Sequence, residues 1–377
     1  MTCKRLLHVQ NYSNWGGNLE HVRLVLDGLR SGGLELFLAA PPGEEFRRRF
    51  LDLGLTLLDF EARSRADAHA VLRLAALVRR HRIDLVHSHT RRTDWVCAWA
   101  RQLCPGRTWL TTVHGEPNLG PDFRRSGSFK NRVYSFVLAR CFDRVLAVSR
   151  DLAAWLTCCE GVPASRVITL TNGIDGQRFA PPSDEDRRRA RNALGLAEPW
   201  PVLVMAGRFG RRKGHDVLLR AAAIELAAGR PWSLLLVGDG DLESACRDLA
   251  GQLGLERSTR FCGFQDDVRL FYRAADVVVM PSFSEGLPRG LLEGMAMGLA
   301  PVASDIGGIR ELLAESSVGL TFATGEPHAL AACLAALFGD PARRRRLGER
   351  ARALVAERYR ADQLIAEHLA LYQELAR

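Results

Sequence analysis

Short apolar runs, each closed by a polar or glycine turn and followed by a stretch of helical period, recur along all 377 residues, and this alternation restricts the chain to a parallel α/β fold. In the first half, residues 5–9, 34–39, 55–58, 83–87, 108–113, 144–148 and 166–170 read as strands. Between them, helical spacing covers 19–30, 44–53 and 66–80, Ser149 is placed as an N-cap, and a basic segment lies within 121–144 with Phe129, Val133, Phe136 and Val137 as its apolar stripe. In the second half, strands are expected at 201–206, 232–237, 260–262, 276–280, 300–303 and 318–322. Helices are expected at 215–228, from Leu291, after Gly307 and Gly308 to Leu313, from Pro327, from Pro341 and over 362–377. Residues 177–200, rich in proline and charge, read as the passage between domains 1–176 and 177–360.

Composition narrows the class. Hydrophobic residues make up 47% and charged residues 25%, the balance of a globular chain, and no apolar run approaches the roughly 18–20 residues that span a bilayer. The start of the chain passes quickly into Gln10 and Asn11, so it lacks the apolar core of a signal peptide. Nine cysteines are scattered without a C-x-x-C pair or metal-like spacing, as in reduced, cytoplasmic proteins. Residues 1–175 hold 25 Lys and Arg against 17 Asp and Glu, an excess of eight, whereas the remainder is near balance. That excess suits an anionic partner, such as a lipid headgroup, a phosphorylated acceptor or nucleic acid, or solvated helix faces. No aromatic and basic RNA motif accompanies it, which argues against nucleic acid.

Candidate site residues cluster where strands end, because ligands of such sheets bind beyond the carboxyl ends of the strands. After the first strand, Gly16 and Gly17 would let backbone approach a ligand, or serve a turn. His89, Arg91 and Arg92 form a loop after the strand at 83–87, and could contact an acceptor or only solvent. His114 ends the strand at 108–113 and is followed by Gly115. In the second half, Gly207-Arg208 to Lys213-Gly214 is a glycine-bounded basic loop opening onto a helix; Lys213 is one of only three lysines, with Lys4 and Lys130. Positive charge at a helix start is what a pyrophosphate requires. Gly238-Asp239 and Phe264-Gln265 sit in turns after the next two strands. Residues 284–298 then turn from a strand into a helix, with Gly286 and Pro288 in the turn and two carboxylates, Glu285 and Glu293, eight positions apart.

The Glu285-x7-Glu293 pattern with Gly286 and Pro288, the Arg208-x4-Lys213 loop, and Val148-Ser149-Arg150 followed by Thr171-Asn172-Gly173-Ile174-Asp175 together resemble the retaining glycosyltransferases of family 4 (group 1). The resemblance covers nearly the whole chain. It implies the GT-B form of the α/β class: two Rossmann-like β/α/β domains facing a central cleft, an acceptor domain at 1–176 and a donor domain at 177–360, with helix 361–377 packing back on the first. It implies a hexosyltransferase moving a sugar from a nucleoside diphosphate sugar, UDP or GDP, to a hydroxyl of a carbohydrate or lipid-linked acceptor in envelope polysaccharide, lipopolysaccharide or glycolipid assembly, with a cytoplasmic or peripheral inner-membrane location.

By the same resemblance, Arg208, Lys213 and the helix start at Gly286 and Leu287 stabilise the departing phosphate without a metal or other cofactor. Glu285 holds sugar hydroxyls, Glu293 accepts from the ribose hydroxyls, and His114 contacts the sugar near the reacting carbon. Gly16 and Gly17 face the donor phosphates and the acceptor, and Gly238, Asp239, Phe264 and Gln265 surround the nucleoside. If both glutamates lay on one helix they would stand roughly 12 Å apart by helix rise, too far for the carboxylate pair about 5 Å apart of a double displacement, so a front-face displacement is expected. Arg289 departs from the apolar residue usual in the family. A GT-B phosphorylase, a sugar-nucleotide epimerase and a non-catalytic nucleotide-binding scaffold share these features.

Overall fold

The protein is described by a computed structural model over residues 4–12, 16–115, 129–196, 200–313 and 316–375. Its described residues divide into two compact units, the first running to Gly173 and resuming at Ala361, the second running from Ile174 to Arg360.

The first unit comprises β1 (Lys4–Val9), α1 (Gly17–Gly28), β2 (Leu34–Ala40), α2 (Glu44–Arg48), β3 (Thr56–Asp59), α3 (Ala68–Arg80), β4 (Leu85–Ser88), α4 (Arg91–Leu103), β5 (Thr108–Val113), α5 (Phe129–Cys141), β6 (Arg144–Ala147), α6 (Arg150–Cys158) and β7 (Val167–Thr169). Its seven strands are all parallel, in the order β3-β2-β1-β4-β5-β6-β7. The strands are apolar almost throughout because helices cover both faces; Leu6, Leu38, Leu85, Leu110 and Leu146 lie in one core.

The second unit comprises α7 (Asp184–Ala193), β8 (Val202–Ala206), α8 (His215–Ala227), β9 (Ser233–Val237), α9 (Glu243–Gln252), β10 (Thr259–Phe261), α10 (Arg269–Ala274), β11 (Val277–Met280), α11 (Arg289–Ala296), β12 (Ala300–Ser304), α12 (Gly307–Leu313), β13 (Leu320–Phe322), α13 (Pro327–Phe338) and α14 (Pro341–Arg358). Its six strands are parallel in the order β10-β9-β8-β11-β12-β13. Leu203, Leu218, Trp232, Leu236, Val277, Val302 and Leu334 fill its core. In both sheets the order reverses beside the first strand of the unit, between β1 and β4 and between β8 and β11. A ligand crevice opens at such a reversal.

The last helix, α15 (Ala361–Leu375), belongs to the first unit, where Leu364, Leu371 and Tyr372 join the core. Gly28 of α1 allows the close approach: a Cβ there would lie 2.4 Å from Ile365 Cδ1.

Several stretches differ from the sequence expectation. The supposed passage at 177–200 contains α7. Its helix is fixed by a capping box between Ser183 and Asp186, and by Arg187 and Arg191, which reach Asp276 at 3.2 and 2.7 Å. Only Ala190 of α7 is buried, so no hydrophobic period betrays it. The supposed loop at 88–92 runs into α4, whose start is capped reciprocally by Thr90 and Thr93. The helix expected over 44–53 breaks after α2 into a 3-10 turn at Leu51–Leu53, and α9 and α10 were not anticipated. On α5, Tyr134, Val137 and Leu138 form the buried stripe while Phe136 is 61% exposed; Arg124 and Arg125 of that basic segment lie outside the described residues.

Buried histidines make stability depend on pH, His215 and His368 among them. Burial, and then the charge of Lys213, lowers His215 to about 3. Burial lowers His368 to about 4, against the hydrogen bond it makes to the Leu364 carbonyl. Both are neutral in the folded chain near neutrality, while their unfolded counterparts take up protons below about 6.5. Their contribution is therefore complete above about pH 6.5 and is lost as pH falls toward 4 and 3, by up to about 1.4 kcal/mol per pH unit for each. The thermal midpoint should fall from pH 6.5 to pH 5 and fall less steeply in His215→Phe; a flat profile for the unaltered chain contradicts this.

Candidate active site

In the second unit, the loops that follow β8, β9, β10 and β11 are bound to one another at the carboxyl edge of the sheet. Gly207 N–H donates to the Val237 carbonyl at 2.8 Å, Phe209 N–H to the Asp239 carbonyl at 2.7 Å, and Gly238 N–H to the Gly263 carbonyl at 2.8 Å. Phe283 N–H donates to the Arg212 carbonyl at 2.7 Å. Gly238 makes this packing possible: its φ is +140° and a Cβ would stand 2.2 Å from the Gly207 carbonyl oxygen.

Within this cluster Lys213 Nζ meets Glu285 Oε1 at 2.6 Å, and Ser282 Oγ donates to the same oxygen at 2.8 Å. Arg208 reaches Asp241 with one nitrogen, at 3.1 and 3.2 Å, and both side chains are exposed. Exposed pairs of this kind contribute at most about 1 kcal/mol, so Arg208 can exchange its partner for a stronger anion at little cost. Phe264 is exposed and Gln265 donates to the Cys262 carbonyl at 2.7 Å, while Asp239 is exposed in the neighbouring turn.

Two helices begin here, and neither has a side-chain cap. Gly214 precedes α8 and Pro288 precedes α11, whereas α4, α6 and α7 are capped by Thr90, Ser149 and Ser183. Uncapped helix starts carry N–H groups and partial positive charge that suit an anion.

The start of α11 corrects one expectation. The helix begins at Arg289, so Gly286 and Leu287 lie in the turn before it rather than at its start, while Glu285 precedes the helix as the sequence implies. The 12 Å separation drawn from helix rise therefore does not describe Glu285 and Glu293. Glu293 is buried on α11, where Arg289 Nη2 stands 3.2 Å from its Oε1 and the Tyr272 hydroxyl 3.5 Å from its Oε2. Tyr272 also donates to the Gly290 carbonyl at 2.9 Å.

In the first unit the candidates again follow β1, β4 and β5. Gly16 is extended, with φ −179°, so the left-handed turn is not its purpose; no atom lies within 4 Å of where its Cβ would be. Gly17 opens α1 without a side-chain cap. His114 follows β5, and its Nε2 is buried without a hydrogen-bond partner among the described residues. Burial, and then the charge of His368, lowers His114 to about 4, so it is a neutral donor or acceptor at pH 7.

The acceptor-side loop is not solvated as its polarity suggested. His89 is 2% exposed, with Nε2 2.8 Å from His8 Nδ1. Arg91 opens α4 with its guanidinium 4.3 Å above the Tyr134 ring, and burial lowers its pKa. Arg92 is exposed and reaches the Ala62 carbonyl at 3.3 Å. Sequence reading missed Ser282, Asp241 and Tyr272. Ser282, next to Pro281 in the turn, carried a local signal; Tyr272 lies on the unanticipated α10.

Comparison with known proteins bears on both units. The family described as Glycosyltransferase Family 4 matches residues 15–178, and that described as Glycosyl transferases group 1 matches residues 186–354. The chain is 31% identical over 324 residues to D-inositol 3-phosphate glycosyltransferase 2 of Catenulispora acidiphila, across 79% of this chain and 72% of that one. It is 27% identical to N-acetyl-alpha-D-glucosaminyl L-malate synthase of Bacillus anthracis, across 81% and 78%. Among solved structures, Anabaena HepE in complex with UDP and glucose superposes with a TM-score of 0.86 at 20% identity, covering 98% of this chain and all of that one. WaaG, a glycosyltransferase involved in lipopolysaccharide biosynthesis, superposes with a TM-score of 0.77 at 17% identity, covering 97% and 99%.

Proposed function

We infer, for a chain that belongs to the group 1, family 4 glycosyltransferases and has their GT-B fold, that this enzyme moves a hexose-type sugar from a nucleoside diphosphate sugar to a hydroxyl of a carbohydrate or lipid-linked acceptor, retaining the anomeric configuration. The observation that carries this reading is the contact of Lys213 with Glu285, with the exposed Arg208 in the same loop as Lys213, beside two uncapped helix starts at the β8–β11 strand reversal. That arrangement suits a sugar pyrophosphate: cations and N–H groups for the phosphates, and a carboxylate for sugar hydroxyls. The UDP and UDP-glucose bound to Anabaena HepE support UDP as the donor nucleotide, with GDP the alternative. An envelope polysaccharide or glycolipid as product is supported by the role that WaaG's description gives that protein.

In the reaction, negative charge collects on the departing diphosphate. Arg208, Lys213 and the N–H groups at the starts of α8 and α11 stabilise it, and these groups make a metal unnecessary for that task. Glu285, held by Lys213 and Ser282, aligns the sugar hydroxyls. His114 offers its neutral Nε2 to the sugar near the reacting carbon. Glu293 accepts from the ribose, and Gly238, Asp239, Phe264 and Gln265 border the nucleoside. Front-face attack by the acceptor hydroxyl, with the leaving phosphate taking its proton, gives retention without a second carboxylate. The acceptor is taken by the first unit, where Gly16, Gly17, Arg91 and Arg92 are its candidate contacts.

Arg208→Ala and Lys213→Ala should each lower kcat/KM by 10²-fold or more with unchanged circular dichroism, and EDTA should leave the unaltered enzyme's rate intact. Near-normal rates in both variants, or loss of the rate in EDTA, would overturn the assignment.

A peripheral location on the inner membrane surface fits α4 and α5, where Trp99 is 59% exposed and Phe136 61%, with Arg132 and Arg140 exposed on α5. Aromatic and cationic groups together favour anionic lipid. Co-sedimentation with phosphatidylglycerol vesicles should drop in the double variant Trp99→Ala, Phe136→Ala; equal sedimentation contradicts this contact. No helix among the described residues is long and apolar enough to cross a membrane.

A further inference from the structure

Six histidines gather in the first unit, and three of them form a set apart from the sugar chemistry. His8 of β1 stands opposite His87 of β4 in the strand register, and His89 follows two residues later, where the period of an extended chain returns to the same face. His8 and His87 are 0% exposed. One ring nitrogen from each of the three lies within 4.8 Å of the other two. The ring centres are 5.1 Å apart for His8 and His87, 4.9 Å for His8 and His89, and 4.2 Å for His87 and His89. Imidazoles bound through nitrogen at about 2.0–2.1 Å, with 90–109° between them, place their ring centres about 4.5–5.2 Å apart.

We propose that His8, His87 and His89 form a binding site for one divalent transition-metal ion of the zinc type, with the Tyr372 hydroxyl beside it as an oxygen ligand. Tyr372 Oη lies 2.6 Å from His87 Nδ1 and 3.5 Å from His8 Nε2. Thr112 Oγ1 lies 2.8 Å from His87 Nε2, the partner by which a ligating ring is held in one tautomer and orientation. His89 Nε2 faces His8 Nδ1 at 2.8 Å, and its Nδ1, buried with no hydrogen-bond partner among the described residues, is the outer nitrogen free to carry the ring proton when Nε2 binds the ion.

A contact at 2.8 Å is a hydrogen bond between neutral rings, shorter than the roughly 3.3 Å between two nitrogens bound tetrahedrally to zinc. Metal entry replaces the proton shared by the two rings, which moves to the outer nitrogen of one of them, and spreads the pair by about half an ångström. The Tyr372 hydroxyl proton leaves to solvent as its oxygen binds, which supplies negative charge at the ion. The ion would join β1, β4 and α15, so its effect is on the stability of the first unit rather than on the pyrophosphate clamp, which lies in the second.

The test uses the full chain without an affinity tag, stripped with a chelator, incubated with ZnSO4 or CoCl2 and desalted. Elemental analysis should find about one metal ion per chain, Co2+ should show the visible bands of a four- or five-coordinate site, and the thermal midpoint should rise. His8→Gln and His89→Gln should lose the metal, while the exposed pair His69→Gln, His328→Gln should keep it. Tyr372→Phe, which preserves the packing of the ring, should change the Co2+ spectrum if the histidine variants do not fold. Folded wild-type chain holding less than about a tenth of an equivalent, or a full equivalent retained in His89→Gln, would overturn the proposal.

Discussion

The contact between Lys213 and Glu285 is the interaction on which the second unit's site depends. It joins the loop after β8 to the loop after β11, the two strands between which the sheet order reverses, and Ser282 holds the same carboxylate oxygen. A part-buried pair of this kind fixes both side chains at once. The ammonium is then positioned without a large loss of rotamer freedom on binding an anion, and the carboxylate is oriented for hydroxyl groups. Backbone hydrogen bonds extend the cluster to the loops after β9 and β10, and the small size of Gly238 permits their approach.

The two units meet the same constraint with the same topology. A parallel sheet must have helices on both faces, so its polar groups are displaced to the strand ends, and the candidate residues of each unit lie in loops after strands. The units differ in chemistry. The second gathers arginine, lysine and glutamate around helix starts. The first gathers buried imidazoles, with His114 at the end of β5 and His8 and His87 within the sheet. Tyr372 on α15 reaches this group, so the last segment of the chain contributes to the interior of the first unit as well as to its surface.

Most of the fold was legible because the strands are uninterrupted apolar runs ended by glycine, proline or polar turns. The run from Thr108 to Val113 has the bounds its spacing implies, and the helix expected after Gly307 and Gly308 ends at Leu313 but already begins at Gly307. Helices held by polar contacts were not legible. α7 buries one alanine and is held by arginines on Asp276, and α4 begins at a Thr90–Thr93 pair inside what reads as a polar loop. At the site, residue types and spacing pointed to Lys213 and Glu285 from opposite ends of the second half, but their 2.6 Å contact depends on strand order, which spacing does not encode. The helix boundary at Arg289 lies two residues before the Leu291 expected from spacing, since glycine and proline allow a turn of either length there. The histidine cluster was invisible for the same reason: His8 and His87 meet only because β1 and β4 are neighbours.

The measurement that tests the central claim most directly is calorimetric titration of UDP and of GDP into the full chain and into Lys213→Ala, with EDTA present throughout. The account predicts that one of the two nucleotides binds the unaltered chain, and that the variant binds it at least about tenfold more weakly, the loss of one charge-assisted hydrogen bond. Binding of equal strength in the variant, or no binding of either nucleotide to the folded wild-type chain, would contradict a pyrophosphate clamp built on Lys213.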